Sequence, residues 1–311
     1  MKRLVVIVVI SLGIALVITT HTANEWIFNT AYSANIIRYD NSSVPIVDYG
    51  YKGDIYIGPQ RNPITVAQKA LDFYDGYNRT LQKFLNNSDW LVENAVSYGN
   101  YSLLEYQFFW PVYDVEPPWR SGMAQGRALE VLIKAHEITG DKKYLDTAKM
   151  LLNAFFVEVK DGGVTRKTPN DGWWYEEYAS SSNATKETRV LNGMGFALLG
   201  IQKYYQYTGD AAAKFLFDQG AIAVAKSLPR YEYVDYEYTE GAYSTYDILN
   251  NTRPAPLAYH NIHVTQLGKL YDITGEEIFK TYHDKWSNPK LPEVIEKQEE
   301  KKQRSNATQV K

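Results

Sequence analysis

The chain has 311 residues, a formal net charge of -3 at pH 7 and no cysteine. The near-neutral balance does not favour a nucleic-acid partner, and the lack of cysteine excludes disulfides and thiolate metal sites. Tyrosine is unusually frequent, with 26 residues against 11 phenylalanines. Its apolar ring and hydrogen-bonding tip suit surfaces that bind hydroxyl-rich ligands, although an aromatic-rich fold without such a ligand is the alternative.

The N-terminus has the pattern of an export signal. Lys2 and Arg3 precede an uncharged apolar run that extends to residue 20. Residues 1–20 are therefore predicted to be a signal peptide or a membrane anchor. An uncleaved anchor is slightly favoured, because no clean cleavage site follows, and it would leave the body on the extracytoplasmic face. Residues 21–60 are polar and are expected to be irregular.

Sequons agree with an anchored or secreted glycoprotein. The motif N-x-[ST] begins at Asn41, Asn78, Asn86, Asn100, Asn183, Asn250 and Asn306. At the other end, residues 291–311 form a charged tail that is expected to be disordered.

A repeated triplet organises the middle of the chain. T-G-[DE] occurs at residues 139–141, 208–210 and 274–276, each time between two segments whose apolar residues recur at helical spacing. Glycine suits the end of the first helix, and the acidic residue suits the start of the second. The pattern predicts a series of αα-hairpins.

Residues 64–96 have the pattern of a further helical pair, and the hairpins recur roughly 66–69 residues apart. Two aromatic-rich segments between them, 101–110 and 231–238, have the pattern of strands. The predicted fold is therefore all-α, an incomplete α/α toroid over residues 61–290 with short β insertions in its loops. A four-helix bundle fits less well because its loops are normally short.

Polar and aromatic segments precede the first helix of each later hairpin, at residues 117–126, 173–195 and 243–266. In a toroid these loops open at one end of the barrel, where the helix N-termini favour an anion. Trp119, Trp173 and Trp174 are candidates to stack on sugars, with burial in the core as the alternative. Arg120 and Arg253 are candidates to bind a carboxylate.

The same loops contain groups that could transfer protons. Glu176 and Glu177 together would suit glycoside hydrolysis. The many tyrosines favour instead the removal of a proton from a carbon beside a carboxylate. His260 and His263 have a spacing that would suit a metal, but no third ligand is evident, so neither a metal nor another cofactor is predicted.

Several motifs in order resemble the C-terminal catalytic domain of the D-glucuronyl C5-epimerases, which convert glucuronate to iduronate in heparan-type polysaccharides. They are PPWRSGMAQG at 117–126, WYEEY at 174–178, VLNG at 190–193, YD at 246–247, YHNIHVTQL at 259–267 and EIFKTYHDKW at 277–286. The resemblance covers roughly residues 61–288 and implies an α/α toroid.

The resemblance implies roles for individual residues of the site. Tyr178, Tyr246 and Tyr259 fall on tyrosines of the family's motifs, and Glu177 falls on the glutamate before the first of them. These four residues are the candidate catalytic groups. The candidate substrate-binding residues are Trp119, Arg120, Gln125, Trp174, Asn192, Arg253, His260 and His263. The implied partner is a uronate-containing polysaccharide or glycan.

Three departures from the family pattern concern the substrate. Leu249 stands where the family has an arginine, and Arg253 is the candidate replacement. The interval from Tyr246 to Tyr259 is shorter than in the animal enzymes, and the loop after Tyr178 is longer. Three functions therefore stay open: a glucuronate C5-epimerase, a lyase or hydrolase of uronate polymers on the same fold, and a non-catalytic glycan-binding envelope protein.

Overall fold

A computed structural model describes residues 36–75, 80–182, 186–234, 242–249 and 253–300. Helices dominate these residues and pair into hairpins. The helices are α1 (Pro63–Asp75), α2 (Leu81–Glu93), α3 (Gly122–Thr139), α4 (Lys142–Asn153), α5 (Leu191–Thr208), α6 (Ala211–Ser227), α7 (Leu257–Thr274) and α8 (Glu277–Ser287). The helical pair predicted over residues 64–96 corresponds to α1 and α2.

The three T-G-[DE] triplets join the helices as their chemistry predicts. Helices α3, α5 and α7 each end at a threonine and are followed by a glycine at a φ of 69–71°. Asp141 and Asp210 then accept hydrogen bonds from the backbone N–H two residues later, which caps α4 and α6. Glu276 precedes α8 without a side-chain cap. The predicted hairpins are confirmed at all three triplets.

The first helices of the hairpins also contact one another in chain order, α1 with α3, α3 with α5 and α5 with α7. The closest approach is at the crossing of α3 and α5. A Cβ placed on Gly200 would lie 1.9 Å from the carbonyl oxygen of Gly126, and one placed on Gly126 would lie 2.6 Å from the Cα of Ala197. Glycine at both positions lets the two backbones meet and fixes where the N-terminus of α5 lies.

Short strands form the connections. The strands are β1 (Ile36–Tyr39), β2 (Pro45–Asp48), β3 (Tyr51–Lys52), β4 (Ile55–Tyr56), β5 (Pro59–Gln60), β6 (Ala95–Ser97), β7 (Ser102–Tyr106), β8 (Trp119–Arg120), β9 (Thr165–Thr168) and β10 (Gly172–Tyr175). They pair antiparallel as β1-β2-β5, β3-β4, β6-β7-β8 and β9-β10. The strand pattern of residues 101–110 therefore corresponds to β7, whereas much of 231–238 lies outside the described residues.

Residues 36–60 differ from the irregular segment expected there. Alternation in β2 turns Val47 inwards, and Val47 and Tyr49 are buried with exposures of 1% and 5%. Arg61 links this segment to the helices, because its guanidinium donates to Asp40 at 2.5 Å and to the carbonyl oxygens of Val44 and Pro45. The segment is thus part of the folded body.

The start of the charged tail also differs from the expectation of disorder. Residues 293–300 are helical, and Ile295 is only 2% exposed. Ile295 packs into a cluster with Tyr233, Tyr243, Tyr246 and Tyr259. Leu291 packs against the same cluster, so two apolar side chains attach the start of the tail to the folded body. Residues 301–311 lie outside the described part of the chain.

The predicted anchor or signal peptide, residues 1–20, lies outside the described residues, as do the sequons at Asn78, Asn183, Asn250 and Asn306. Among the helices that the structure describes, none is long and apolar enough to cross a membrane. Asn41 and Asn100 are exposed and Asn86 is half-buried. Export and glycosylation stay predictions.

Replacing Gly200 by alanine tests the α3–α5 crossing. The added methyl group meets a backbone carbonyl that cannot move independently, so we expect Gly200→Ala to lower the free energy of unfolding by at least about 2 kcal/mol. The measurement is urea unfolding followed by circular dichroism. Gly268→Ala in α7 is the control, because its Cβ would meet only the side chain of His283, at 3.1 Å, and its effect should stay within about 1 kcal/mol. Equal midpoints for the two variants would contradict the close crossing.

Candidate active site

An aromatic cleft lies where the N-terminal strands meet β7, β8 and the loop after β10. Its cavity volume is about 50 Å³, and it opens to solvent. Its rings are those of Tyr49, Tyr106, Phe108, Trp110, Trp119 and Tyr178, and the rest of its lining is Asn62, Ile64, Ser121 and Glu177. The aromatic cleft thus brings together three of the residues that the sequence selected, Trp119, Glu177 and Tyr178.

Trp119 forms the floor of the aromatic cleft. Its indole stacks on Tyr106 at a centroid distance of 3.7 Å, and its Nε1–H donates to the carbonyl oxygen of Phe108 at 2.8 Å. The ring of Tyr178 lies 5.6 Å from it. The side chain of Trp119 is therefore held rigidly, with its polar atom already bonded.

Arg120, next in the same strand, does not reach the cleft. It is 4% exposed, and its guanidinium faces the carbonyl oxygens of Pro118, Val159 and Gly163 at 3.3–3.4 Å. Successive side chains of a strand point to opposite faces, so Trp119 and Arg120 face different surroundings. The expected carboxylate-binding role of Arg120 has no support in this placement.

Glu177 brings a titratable group to the aromatic cleft. The pKa of its carboxyl is raised to about 7, mainly by burial. A hydrogen bond with Tyr178 offsets part of this rise, and the charge of Glu176 adds to it. A Cβ on Gly193 would lie 2.3 Å from Oε2, so the carboxylate rests against the first turn of α5 where only glycine leaves room. Oε2 is buried and has no hydrogen-bond partner among the described residues. A carboxyl that titrates near neutral pH is suited to proton transfer.

Glu176, the other carboxylate of the motif, is structural. It is fully buried and accepts from Arg166 Nε at 2.7 Å, from the Thr188 hydroxyl at 2.7 Å and from the Arg189 N–H at 3.0 Å. These bonds tie β9 and β10 to the loop that leads into α5. With Glu176 so engaged, the two neighbouring glutamates do not form a pair of catalytic carboxylates.

A chain of contacts leads from the aromatic cleft to the other two candidate tyrosines. The ring of Tyr178 lies 4.6 Å from that of Tyr113, whose hydroxyl donates to Asp247 at 2.7 Å. Beside Asp247, the rings of Tyr246 and Tyr259 meet edge to face at 4.9 Å. Tyr178, Tyr246 and Tyr259 thus belong to one cluster, although only Tyr178 lines the aromatic cleft.

His260 and His263 hold the loop that carries Tyr246. Both rings are fully buried, and their Nδ1 atoms lie 2.9 and 2.8 Å from the Ser244 hydroxyl. His260 Nε2 donates to the carbonyl oxygen of Trp286, so its Nδ1 accepts from the N–H of Ser244. Burial lowers the pKa of His260 to about 4 and that of His263 well below its usual value. Both rings are therefore neutral near pH 7, which does not fit the expectation that they bind substrate directly or supply an imidazolium.

Two further candidates lie in the core. Trp174 is 1% exposed and stacks on Tyr231, because β10 packs against α6. Gln125 is fully buried, accepts from the N–H of Leu104 and donates to the carbonyl oxygens of Ser102 and Leu151. Their expected substrate contacts have no support here.

Asn192 and Arg253 have less definite surroundings. Asn192 is 2% exposed, its carbonyl oxygen accepts from Gln266 at 2.9 Å, and its Oδ1 is buried without a partner among the described residues. Arg253 is half-buried beside Pro254, which bridges to Thr245 in the loop of Tyr246. Both positions are near the tyrosines without lining the aromatic cleft.

The sequence pattern missed three residues that shape the site: Tyr49, Tyr113 and Ser244. Tyr49 contributes a cleft wall from the N-terminal segment, and its hydroxyl interacts with Asn62 Nδ2 at 2.5 Å. The high tyrosine count was the available signal, but it does not say which tyrosines meet. In the described part of the chain, no group of three or more His, Asp or Glu side chains could hold a metal.

Comparison with known proteins identifies the family of the chain. The family model described as the D-glucuronyl C5-epimerase C-terminus matches residues 98–288. That range contains both α3, at the aromatic cleft, and the loop of Tyr246.

Two relatives and one solved structure extend the comparison. An uncharacterized protein of Methanocaldococcus jannaschii is 30% identical over 269 residues, covering 79% of this chain and 83% of its own. The D-glucuronyl C5-epimerase of Caenorhabditis elegans is 28% identical over 259 residues, covering 78% of this chain and only 38% of that enzyme. A GH76 α-mannanase of Bacteroides thetaiotaomicron has a similar fold, with a TM-score of 0.51 at 14% identity, covering 79% of this chain and 62% of its own. The chain belongs to the D-glucuronyl C5-epimerase C-terminal domain family.

Proposed function

We propose that this protein inverts C5 of a glucuronate residue in a polysaccharide or glycan by removing a proton and returning it to the opposite face. The observation that carries the proposal is the chain of contacts from Glu177 and Tyr178 through Tyr113 to Tyr246 and Tyr259. This chain of contacts joins tyrosines of two separate loops. Two such groups are needed because the proton leaves one face of the sugar ring and returns to the other. Family membership supports an epimerase of carbohydrates in general.

On one face, Tyr178 takes the proton from C5. The C5–H bond breaks, its electron pair moves into an enediolate formed with the C6 carboxylate, the C5 proton goes to the phenol oxygen of Tyr178, and the hydroxyl proton of Tyr178 passes to the Glu177 carboxylate. Glu177 assists this step, because its carboxylate accepts a hydrogen bond from the Tyr178 hydroxyl and so makes the phenol oxygen more basic.

On the other face, Tyr246 or Tyr259 returns a proton to C5 and restores the carboxylate. Their loop and helix are held together by Ser244, His260 and His263, which keeps the two phenols at a fixed separation. The negative charge of the enediolate needs a cation, and Arg253 is the candidate because both histidines are neutral near pH 7.

An open α/α toroid is the arrangement that we propose for the four hairpins. The consecutive contacts of α1, α3, α5 and α7 support it, since these helices would form the inner row. The loops before α3, α5 and α7 would then share one end, and these are the loops that carry Trp119, Tyr178 and Tyr246.

The deciding experiment is incubation in D2O with polymers of glucuronate, heparosan-like polymers among them. Deuterium at C5 without chain cleavage is the expected result. Unsaturated chain ends would indicate a lyase, which shares the first step and then expels the C4 substituent. Binding without any exchange would leave a glycan-binding protein.

Removing the tyrosine hydroxyls tests their roles. We expect Tyr178→Phe to lower C5 exchange by ~10²–10⁴-fold, because general acid–base catalysis is lost while the ring still packs on Trp119 and Tyr113. At least one of Tyr246→Phe and Tyr259→Phe should have a similar effect. Tyr51→Phe is the control, since this residue is 66% exposed on β3. Near-full exchange in Tyr178→Phe would contradict the mechanism.

The pH dependence of exchange tests Glu177. Because burial raises the pKa of Glu177 to about 7, its carboxylate forms as the pH rises through 7, and exchange should rise in the same window. Glu177→Gln should remove this rise and lower the maximal rate. A pH profile that is unchanged in Glu177→Gln would assign the titration to another group.

The free energy of unfolding should fall with rising pH over the window in which exchange rises. The folded-state pKa of Glu177 lies above the ordinary value of 4.5, so its protonated form stabilises the fold fully below pH 4.5, and this stability is lost as the pH rises through 7. The free energy of unfolding of the wild type should therefore fall relative to that of Glu177→Gln across this window, measured by urea unfolding at several pH values. A constant difference between the two proteins would mean that Glu177 is not buried as described.

A further inference from the structure

We propose that Tyr113 is a positioning residue of the candidate active site and that it acts through Asp247. Its hydrogen bond holds the loop of Tyr246 at a fixed distance from the loop of Tyr178. The inference rests on the proposed function, because those two loops carry the phenols that work on opposite faces of the sugar. Tyr113 lies outside the motifs typical of the family, the first of which begins at residue 117.

A tight turn presents Tyr113 to the site. Trp110 and Val115 exchange two backbone hydrogen bonds, of 2.9 and 3.0 Å, and residues 111–114 form the turn between them. Val115 is fully buried, so the turn is anchored in the core. Tyr113 is half-buried within this turn. Its backbone is therefore held before its side chain makes any contact.

The turn is fastened to the loop that follows Tyr178. The Ser180 hydroxyl donates to the carbonyl oxygen of Glu116 at 2.8 Å, and the N–H of Glu116 donates to the Ser182 hydroxyl at 3.0 Å. The ring of Tyr113 lies 4.6 Å from that of Tyr178, tilted by 42°. These contacts fix the place of Tyr113 relative to Tyr178.

The hydroxyl of Tyr113 is a link to the second loop. It donates to Asp247 Oδ2 at 2.7 Å, across 134 positions of sequence. Asp247 directly follows Tyr246 and is 8% exposed, and its Oδ1 accepts from the N–H of Leu249 at 2.9 Å. The carboxyl is thus held by its own loop on one side and by Tyr113 on the other.

Backbone bonds hold this second loop from another direction. The N–H of Leu191 donates to the carbonyl oxygen of Tyr246 at 3.2 Å, and the N–H of Ile248 donates to that of Thr188 at 3.4 Å. Both join the loop to the start of α5. The bond from Tyr113 restrains it from the side of the aromatic cleft. Since transfer on two faces depends on the spacing of both phenols, losing this restraint should slow turnover more than it weakens substrate binding.

Tyr113→Phe removes the hydroxyl and keeps the ring against Tyr178. On a glucuronate polymer that shows C5 exchange, we expect kcat to fall roughly tenfold while KM changes by less than about twofold. The pH dependence of exchange should stay that of the wild type, because Tyr113 transfers no proton to the sugar. Tyr144→Phe is the matched control: this hydroxyl also donates to an aspartate at 2.7 Å, Asp89, but between α4 and α2. Its kcat should equal that of the wild type.

A double-mutant cycle tests that Tyr113 acts through Asp247. Asp247→Ala should lower kcat by a similar factor, and the variant with both changes should be no slower than the slower single variant. Asp247→Asn should retain most of the wild-type kcat, because its amide oxygen still accepts the bond. Losses that multiply in the double variant would overturn the link.

Hydrogen exchange of the backbone amides measures the same restraint without a substrate. In the full chain with Tyr113→Phe, the amides of residues 245–249 should exchange about fivefold faster than in the wild type. In Tyr144→Phe they should not, whereas those of α4 should. Unchanged amide exchange at residues 245–249 in Tyr113→Phe, or an unchanged kcat, would overturn the positioning role.

The two measurements separate failure of this inference from failure of the proposed function. Faster amide exchange in Tyr113→Phe, with no C5 exchange by the wild type on any glucuronate polymer, would mean that Tyr113 holds the loop and that the epimerase proposal fails. C5 exchange with the same kcat in the wild type and Tyr113→Phe would mean that the epimerase proposal holds and the positioning role fails.

Discussion

The buried carboxylate of Glu176 accepts hydrogen bonds from three sides, and the geometry of the candidate site depends on them. Arg166 comes from β9, while Thr188 and Arg189 come from the segment that leads into α5. The next two residues, Glu177 and Tyr178, therefore enter the aromatic cleft from a fixed point. An isolated buried charge would be very costly, but this one is compensated by an ion pair and two further donors.

The packing of the helices determines the position from which Glu177 and Tyr178 enter the aromatic cleft. Glycines at the α3–α5 crossing bring the N-terminal part of α3 against the middle of α5, and Gly193 leaves room for the Glu177 carboxylate against the first turn of α5. The N-terminal segment completes the arrangement from the other side, since Tyr49 and Asn62 form one wall of the aromatic cleft. The site is thus assembled from segments more than 100 residues apart in sequence, held by packing at its base and hydrogen bonds at its edges.

What the sequence could predict was mainly local. The T-G-[DE] triplets fix helix ends through glycine conformation and acidic caps, which need no distant partner, and those hairpins were predicted correctly. The loops before α3 and α5 were expected to converge, and Trp119 lies beside Tyr178. Trp174 and Arg120 could not be placed, because strand alternation and packing on α6 turn them away from the cleft. Tyr49 and Tyr113 depend on tertiary contacts that a composition count does not specify.

Burial of the two histidines beside Ser244 makes the stability of the protein depend on pH in acid. His260 has a folded-state pKa of about 4 against an ordinary 6.5, so the unfolded chain binds its proton first and the fold loses stability as the pH falls from 6.5 to 4. Glu177 acts in the opposite sense, with a pKa of about 7 against an ordinary 4.5. Between pH 4.5 and 6.5 the two titrations oppose each other, and His263, whose pKa burial also lowers, adds to the loss of stability in acid. Acid therefore acts on the two ends of the candidate site in opposite senses, destabilising the histidines that hold the loop of Tyr246 and stabilising Glu177 at the aromatic cleft.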